Sequence, residues 1–142
     1  MAPGHAPSGY RCPFCSIVGG RYGEVATSAE DIVLRTRCTT AFVASDQWPN
    51  NAGHVLVIPN EHHENLYSLP VELAGPIHQS VRRIALALRA AFRCPGISTR
   101  QHNEPAGGQD VWHYHVHVFP RYDGDGLYGA DREPVGLSLI HI

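Results

Sequence analysis

Three histidines occupy alternate positions near the carboxyl end of the chain: His113, His115 and His117. Side chains of a β-strand alternate between its two faces, so these imidazoles would share one face of a strand. The core face would carry Trp112, Tyr114, Val116 and Val118. An imidazole with a pKa of ~6.5 can act as nucleophile, acid, base or metal ligand near neutral pH. The pattern therefore predicts nucleophilic chemistry or metal binding on this strand.

A second chemically capable group is the C-x-x-C pair formed by Cys12 and Cys15. The other two cysteines, Cys38 and Cys94, stand apart from it and from each other. The chain starts without a basic segment followed by an apolar core, so no secretory signal is recognised and a cytoplasmic location is expected. In the cytoplasm, metal binding by this pair is favoured over a disulfide. Metal binding is also favoured over redox chemistry, because no thioredoxin-like βαβ pattern surrounds the pair.

Length and composition restrict the possible classes of protein. A chain of 142 residues suits one domain, and 43% apolar with 17% charged residues is typical of a folded globule. The net charge is −2 and like charges form no block, which argues against a nucleic-acid partner. Every apolar stretch is shorter than the ~18 residues of a membrane span, which argues against a membrane protein.

The elements that must position these residues follow from local patterns. Apolar and β-branched runs predict strands at Ile32–Arg35, Thr40–Ala44, His54–Ile58, Ile97–His102 and Val111–Phe119. Turn-forming residues predict loops over Asp46–Gly53 and Asn103–Asp110. A short helix is predicted at Phe14–Val18.

A long helix is predicted from Val71 to Phe92, because apolar residues recur at steps of three and four: Ala74, Ile77, Val81, Ile84, Leu88 and Ala91. Strands precede this helix and two strands follow it. The expected fold is therefore α+β, with a mostly antiparallel sheet of about five strands.

The sequence H-Y-H-V-H-V-F over residues 113–119 resembles the signature of the histidine triad (HIT) family, in particular its bacterial Hint-like branch. Further likenesses are the G-H-V-L-V-I-P segment at Gly53–Pro59, Asp46 eight residues before His54, Asn103 and Gln109 in the glycine-rich loop, and Pro120-Arg121. A composition rich in Pro, Gly and Ala predicts a flexible N-terminal arm over residues 1–11, and the resemblance implies a HIT domain over 12–128. Residues 129–142 would form a truncated or atypical C-terminal tail.

The resemblance implies a nucleotide hydrolase. His115 would attack the α-phosphorus and form a nucleotidyl-histidine that water then cleaves. His117, His54 and Gln109 would stabilise the charge that develops on the phosphate oxygens. The family's transferase branch has Gln at the third histidine of the triad, so His117 favours hydrolysis.

The resemblance also implies a nucleotide pocket. Asp46 would bind both ribose hydroxyls, since a carboxylate accepts two hydrogen bonds. Phe14 and Ile17 would line the base pocket. The loop residues assigned to nucleotide binding are Asn103, Gly108 and Asp110. Asp110 departs from the family, which usually has Ser or Thr there, and predicts an altered rate or leaving-group preference.

Some bacterial members of the family carry a zinc site that matches Cys12, Cys15, His62 and His113. Two thiolates and two imidazoles suit tetrahedral Zn²⁺. Four protein ligands leave no open coordination position, so the resemblance implies a structural zinc. His63 is a neighbouring alternative to His62.

The function expected from the resemblance is hydrolysis of nucleoside 5′-phosphoramidates or related nucleotidyl conjugates, by a homodimer. Hydrolysis of dinucleoside polyphosphates is the enzymatic alternative. A zinc-bearing nucleotide-binding protein without catalysis and a metalloenzyme that uses the H-x-H-x-H strand are the alternatives from other classes.

Overall fold

The computed structural model describes residues 4–129 and 133–134. In chain order the elements are α1 (Pro13–Val18), β1 (Ile32–Arg35), β2 (Thr39–Val43), β3 (Asp46–Gln47), β4 (Val55–Pro59), α2 (Ala74–Phe92), β5 (Gly96–Gln101), β6 (Val116–Arg121) and β7 (Glu133–Pro134). Five strands form an antiparallel sheet in the order β1-β2-β4-β6-β5, and β3 pairs with β7. This confirms the predicted fold class. Most of the predicted C-terminal tail lies outside the described residues.

Helix α2 covers one face of the sheet. Its buried apolar residues Ile77, Ile84 and Leu88 pack against β2, β4 and β6. The apolar face predicted for this helix was wrong at its two ends, because Ala74 and Ala91 are exposed. The first turn predicted for the helix, Val71–Leu73, is a separate 3₁₀ turn. Within the described chain, no helix is both long and apolar enough to cross a membrane.

Helix α1 packs on the opposite face of the sheet. Phe14 and Ile17 form a second core cluster with apolar residues in or directly after the central strands β2 and β4: Phe42, Ala44, Leu56 and Ile58. Its amino end carries Cys12, whose thiol accepts from the backbone N–H of Cys15. The C-x-x-C pair is therefore fixed at one end of the sheet by the same helix that lines the apolar cleft beside it.

The strand predicted at Val111–Phe119 begins only at Val116, so that prediction was wrong over its first five residues. Strand β4 ends at Pro59, which has no N–H with which to extend the ladder beyond the Val57–Val116 pair. The segment before Val116 is instead bonded to the loop after β4, where the N–H of Tyr114 donates to the carbonyl of His63. Consequently His113 and His115 lie in an irregular segment, and His117 lies in the strand.

The predicted loop over Asp46–Gly53 contains the short strand β3 and a buried glutamine that positions His54. The amide of Gln47 donates to the carbonyls of Ala44 and His54, and its oxygen accepts from the N–H groups of Gly53 and His54. Gly53 has a φ of +105°, and a Cβ there would lie 2.7 Å from the ring of Phe92. Glycine is therefore required at this position.

Asp125 lies at the centre of a polar cluster that stabilises the segment after β6. Its carboxylate accepts two hydrogen bonds from Arg121, at 2.7 and 2.9 Å, and others from Asn51 and the N–H groups of Tyr122 and Leu127. The bonds from Arg121, followed by that from Tyr122, hold the pKa of Asp125 far below its usual range. The carboxylate therefore contributes stability above pH ~4, which is lost as pH falls toward the lowered pKa.

Replacing Asp125 by Asn is expected to lower the melting temperature by about 5 °C or more at pH 7, because charge-assisted hydrogen bonds are lost. The difference from wild type should narrow below pH ~4, where the wild-type carboxylate also loses its advantage. Thermal unfolding at several pH values measures this. Asp123→Asn, at an exposed neighbouring position, is the matched control. A difference that stays constant with pH would contradict the assignment.

Candidate active site

His115 is the residue whose hydrogen bonding is best suited to nucleophilic attack. Its Nδ1 lies 2.7 Å from the carbonyl oxygen of His113, and the residue is 3% exposed. A carbonyl accepts only, so Nδ1 carries the proton and donates. In the neutral ring the other nitrogen, Nε2, is then unprotonated, and its lone pair is available to an electrophile.

His54 and His117 form a buried pair beside it. The Nε2 of His54 lies 2.8 Å from the Nδ1 of His117, and the ring of His117 is 4.9 Å from that of His115. The ring of Phe119 stacks on both members of the pair. Burial, and then the nearby His54, lower the pKa of His117 well below its ordinary value. His117 is thus neutral in the free protein, and a bound anion would favour its protonation.

These histidines line a cleft that contains about 700 Å³ of empty space, including its open mouth. Much of its wall is apolar and consists of Phe14, Ile17, Phe42 and Leu56, and the ring of Phe14 lies 5.2 Å from that of His115. Asp46 also lines the cleft. The structure therefore brings seven of the predicted site residues to one cleft: Phe14, Ile17, Asp46, His54, Asp110, His115 and His117. An apolar wall, a carboxylate and a cluster of imidazoles suit a base, a ribose and a phosphate respectively.

Three other predicted site residues are absent from the lining of that cleft. The amide of Gln109 donates to the carbonyls of Glu64 and Val111 and accepts from the N–H of Glu104. Asn103 accepts from the N–H of Leu66 and exchanges hydrogen bonds with Gln101. Gly108 has a positive φ and lines a neighbouring pocket. The side chains of Gln109 and Asn103 therefore hold the loop in shape, and their assigned nucleotide contacts remain predictions.

Asp110 is the residue of that loop that reaches the nucleophile. Its Oδ1 lies 3.4 Å from the Nε2 of His115, and its side chain is 42% exposed. A carboxylate at this distance stands next to any phosphorus that Nε2 attacks.

The sulfur and nitrogen atoms of Cys12, Cys15, His62 and His113 all lie within 4.8 Å of one another. The Nδ1 of His113 lies 3.3 Å from the Sγ of Cys12 and 3.6 Å from the Sγ of Cys15. The Nδ1 of His62 lies 3.3 Å from the Sγ of Cys15 and 3.2 Å from the Nδ1 of His113. A tetrahedral zinc with Zn–S bonds of ~2.3 Å and Zn–N bonds of ~2.05 Å separates its ligands by about 3.3–3.8 Å. The cluster therefore has the dimensions of a tetrahedral zinc site.

The surroundings of this cluster also fit a metal ion. The Nε2 of His113 donates to the carbonyl of Pro59 at 2.9 Å, which leaves Nδ1 free of a proton and directed at the cluster. Burial lowers the pKa of His113 to about 4, which keeps the ring neutral. Burial, with the adjacent Cys12, raises the pKa of Cys15 to about 11, so a cation is needed to stabilise two thiolates there. His63 pairs with Glu61 instead, so His62 is the ligand that fits.

Gln47 and Pro59 are contributors that sequence reasoning missed. Gln47 holds the backbone of His54, and the carbonyl of Pro59 orients the ring of His113. Neither residue belongs to a sequence motif that indicates its role. The position of Gln47 beside Asp46, in a loop otherwise rich in turn residues, was the one available signal.

An antiparallel α+β domain whose H-x-H-x-H segment supplies histidines to such a cleft is typical of histidine triad proteins. The HIT domain model matches residues 26–124, and the chain belongs to the HIT family. This confirms the resemblance.

Individual relatives agree with this assignment. The chain is 39% identical to Protein hit of Bacillus subtilis over 136 residues, covering 91% of this chain and 88% of that one. A crystal structure of a Zn-bound histidine triad family protein from Mycobacterium smegmatis is 30% identical with a TM-score of 0.70, covering 82% of this chain and 78% of that one. Adenylylsulfatase HINT3 of Arabidopsis thaliana is 28% identical, covering 84% of this chain and 57% of that protein.

Proposed function

We propose that this protein hydrolyses nucleoside 5′-phosphoramidates or related nucleotidyl conjugates through a covalent nucleotidyl-His115 intermediate. The observation that carries the proposal is the hydrogen bond from the Nδ1 of His115 to the carbonyl of His113, which frees Nε2 for attack inside the cleft. The family supports a nucleotide-binding fold. The name of the Arabidopsis relative supports cleavage of an adenylyl conjugate, although it points to sulfate as the leaving group there.

The reaction proceeds in two displacements. In the first, the Nε2–phosphorus bond forms as the bond from phosphorus to the leaving group breaks, and the leaving atom takes up a proton from solvent. In the second, water attacks phosphorus and gives up a proton to solvent, the Nε2–phosphorus bond breaks, and the nucleoside monophosphate is released. His54 and His117 lie where they can donate to the phosphate oxygens as charge develops on them. Asp46 binds the ribose, and Phe14 and Ile17 contact the base.

Cys12, Cys15, His62 and His113 hold zinc in this proposal. The ion supplies rigidity rather than chemistry, because four protein ligands complete a tetrahedral shell. Its ligand His113 also provides the carbonyl that orients His115. Zinc therefore stabilises the segment that presents the nucleophile. Assembly as a homodimer and a cytoplasmic location complete the proposal.

Turnover of adenosine 5′-phosphoramidate, together with rapid quenching to detect a nucleotidylated protein, tests the function. A burst of adduct equal to about one per active chain is expected. Nucleotide binding without adduct or turnover would favour the binding-protein alternative.

Asp110 is expected to favour amine leaving groups, because its carboxylate can accept from an N–H on the bridging atom and repels additional phosphate oxygens. Asp110→Ser should lower the preference for adenosine 5′-phosphoramidate over diadenosine triphosphate by about tenfold in kcat/KM. Steady-state kinetics on both substrates measures this ratio. Asp123→Asn is the control for an unrelated loss of charge. Equal preferences in wild type and variant would contradict this role.

A further inference from the structure

Three residues near the amino terminus, His5, Ala6 and Tyr10, are half-buried against loops of the candidate active site. They belong to residues 5–10, which are called the strap below. The backbone N–H groups of His5 and Ala6 donate to the two carboxylate oxygens of Glu64, at 2.9 and 3.1 Å. These bonds fix the start of the strap on the domain. The hydrolysis proposed above gives the strap no task.

The strap also contacts the loop that carries Asp110, on both sides of that residue. Upstream of Asp110, the Nε2 of His5 donates to the carboxylate of Glu104 at 3.1 Å. Downstream of it, the hydroxyl oxygen of Tyr10 accepts from the N–H of Trp112 at 3.2 Å, and the ring of His5 lies 5.6 Å from that of Trp112. One segment therefore restrains this loop before and after its charged residue.

The Asp110 loop (residues 104–112) begins with a strained backbone. Glu104 has a φ of +67°, which is unfavourable for any residue other than glycine and persists only where surrounding contacts compensate for it. Its N–H donates to the Oε1 of Gln109, and its carboxylate accepts from His5. Hydrogen bonds from His5 and then from Tyr67 lower the pKa of Glu104, so this carboxylate is charged at neutral pH. The bond from His5 is thus one of the contacts that keep the loop in its strained form.

The position of this loop matters to the reaction because Asp110 lies beside His115. The Oδ1 of Asp110 is 3.4 Å from the Nε2 of His115, the attacking atom of the proposed reaction. The N–H groups of Gly107 and Gln109 donate to the carbonyl of Glu104, which links the middle of the loop to its strained start. A shift of Glu104 would therefore be passed on to Asp110. A displacement of ~1 Å near the reacting atoms can lower a rate by ~10²-fold.

We infer that the strap places Asp110 against the nucleophile, and that His5 and Tyr10 are positioning residues for the reaction. His5 acts through its hydrogen bond to Glu104, and Tyr10 acts through the hydrogen bond that it accepts from Trp112. The inference rests on the proposed hydrolysis. It adds to that reaction two residues that lie outside the lining of the nucleotide cleft.

The variants His5→Phe and Tyr10→Phe test this inference, because each removes one hydrogen bond to the Asp110 loop and keeps an aromatic ring. Hydrogen exchange, followed by mass spectrometry, should become faster over residues 104–112. The preference for adenosine 5′-phosphoramidate over diadenosine triphosphate should fall by about threefold in kcat/KM for each variant, as expected in the same direction for Asp110→Ser. Zinc content should be unchanged, and the melting temperature should stay within about 5 °C of wild type.

Tyr22→Phe is the matched control, because the hydroxyl of Tyr22 accepts a hydrogen bond from Arg35 at 2.8 Å, away from the Asp110 loop. This variant should change neither the exchange of the loop nor the substrate preference. A second comparison repeats both strap variants in an Asp110→Ser background. They should have no further effect on the preference there, because the carboxylate that the strap positions is absent.

The possible outcomes separate this inference from the proposed hydrolysis. Unchanged exchange of the Asp110 loop in both variants would overturn its restraint by the strap. Faster exchange with equal losses of activity on both substrates would show a merely structural role and would overturn the positioning. The same threefold effect in the Asp110→Ser background would show that the strap does not act through Asp110. If wild type hydrolysed neither substrate, the proposed function would be contradicted and the kinetic role of the strap with it, whereas exchange would still report whether the strap restrains the loop.

Discussion

Replacement of His115 by Ala is expected to lower hydrolysis of adenosine 5′-phosphoramidate by about 10³-fold or more, because it removes the attacking atom. No nucleotidylated protein should form. Nucleotide binding should persist, since the apolar wall of the cleft and Asp46 are not replaced. Quenched-flow detection of the adduct, beside steady-state turnover and the affinity for adenosine monophosphate, measures all three expectations.

His115 is buried, so a loss of activity has to be separated from a loss of structure. Zinc content and the melting temperature of His115→Ala should therefore be compared with those of wild type. His78→Ala provides a matched control, because this histidine is exposed on α2 and outside the cleft. Substantial turnover by His115→Ala would point to another nucleophile or to metal-bound water, and would contradict the covalent mechanism.

Much of this arrangement could be predicted because it depends on local periodicity. The five strands of the main sheet and the long helix appear within a few residues of their predicted bounds, apart from the start of β6. The spacing of His115 and His117 predicts that they face the same side, and their rings are indeed adjacent. The C-x-x-C pair predicted a metal cluster, and the geometry of its atoms agrees with that prediction.

What could not be predicted depends on contacts between distant segments. Strand β6 starts late because Pro59, on the neighbouring strand, cannot continue the hydrogen-bond ladder. Gln109 bonds to backbone groups of its own loop and of Glu64, which its sequence neighbours do not reveal. The sequence does not show that Arg100 lies opposite His117, because this pairing is set by the register of β5 and β6.

The metal cluster leads to the second large effect, which concerns stability. Cys12 is attached to α1, His62 follows β4, and His113 precedes β6, so one ion would join three segments that are distant in sequence. Its removal leaves two thiols and two imidazoles crowded within 4.8 Å. Chelation, or Cys12→Ser, is therefore expected to lower the free energy of unfolding by about 3 kcal/mol or more, and the melting temperature by about 10 °C or more.

Thermal unfolding with and without a chelator, with zinc measured on each sample, tests this expectation. About one zinc per chain is expected in wild type and none in Cys12→Ser. Cys38→Ser is the matched control, since Cys38 is a half-buried free cysteine outside the cluster, and it should keep both zinc and stability.

The test also separates a structural ion from a catalytic one. A structural ion predicts that chelated protein below its lowered melting temperature still forms the His115 adduct. If chelation instead abolished adduct formation without changing the melting temperature, zinc would belong to the chemistry, and the metalloenzyme alternative would replace the covalent mechanism.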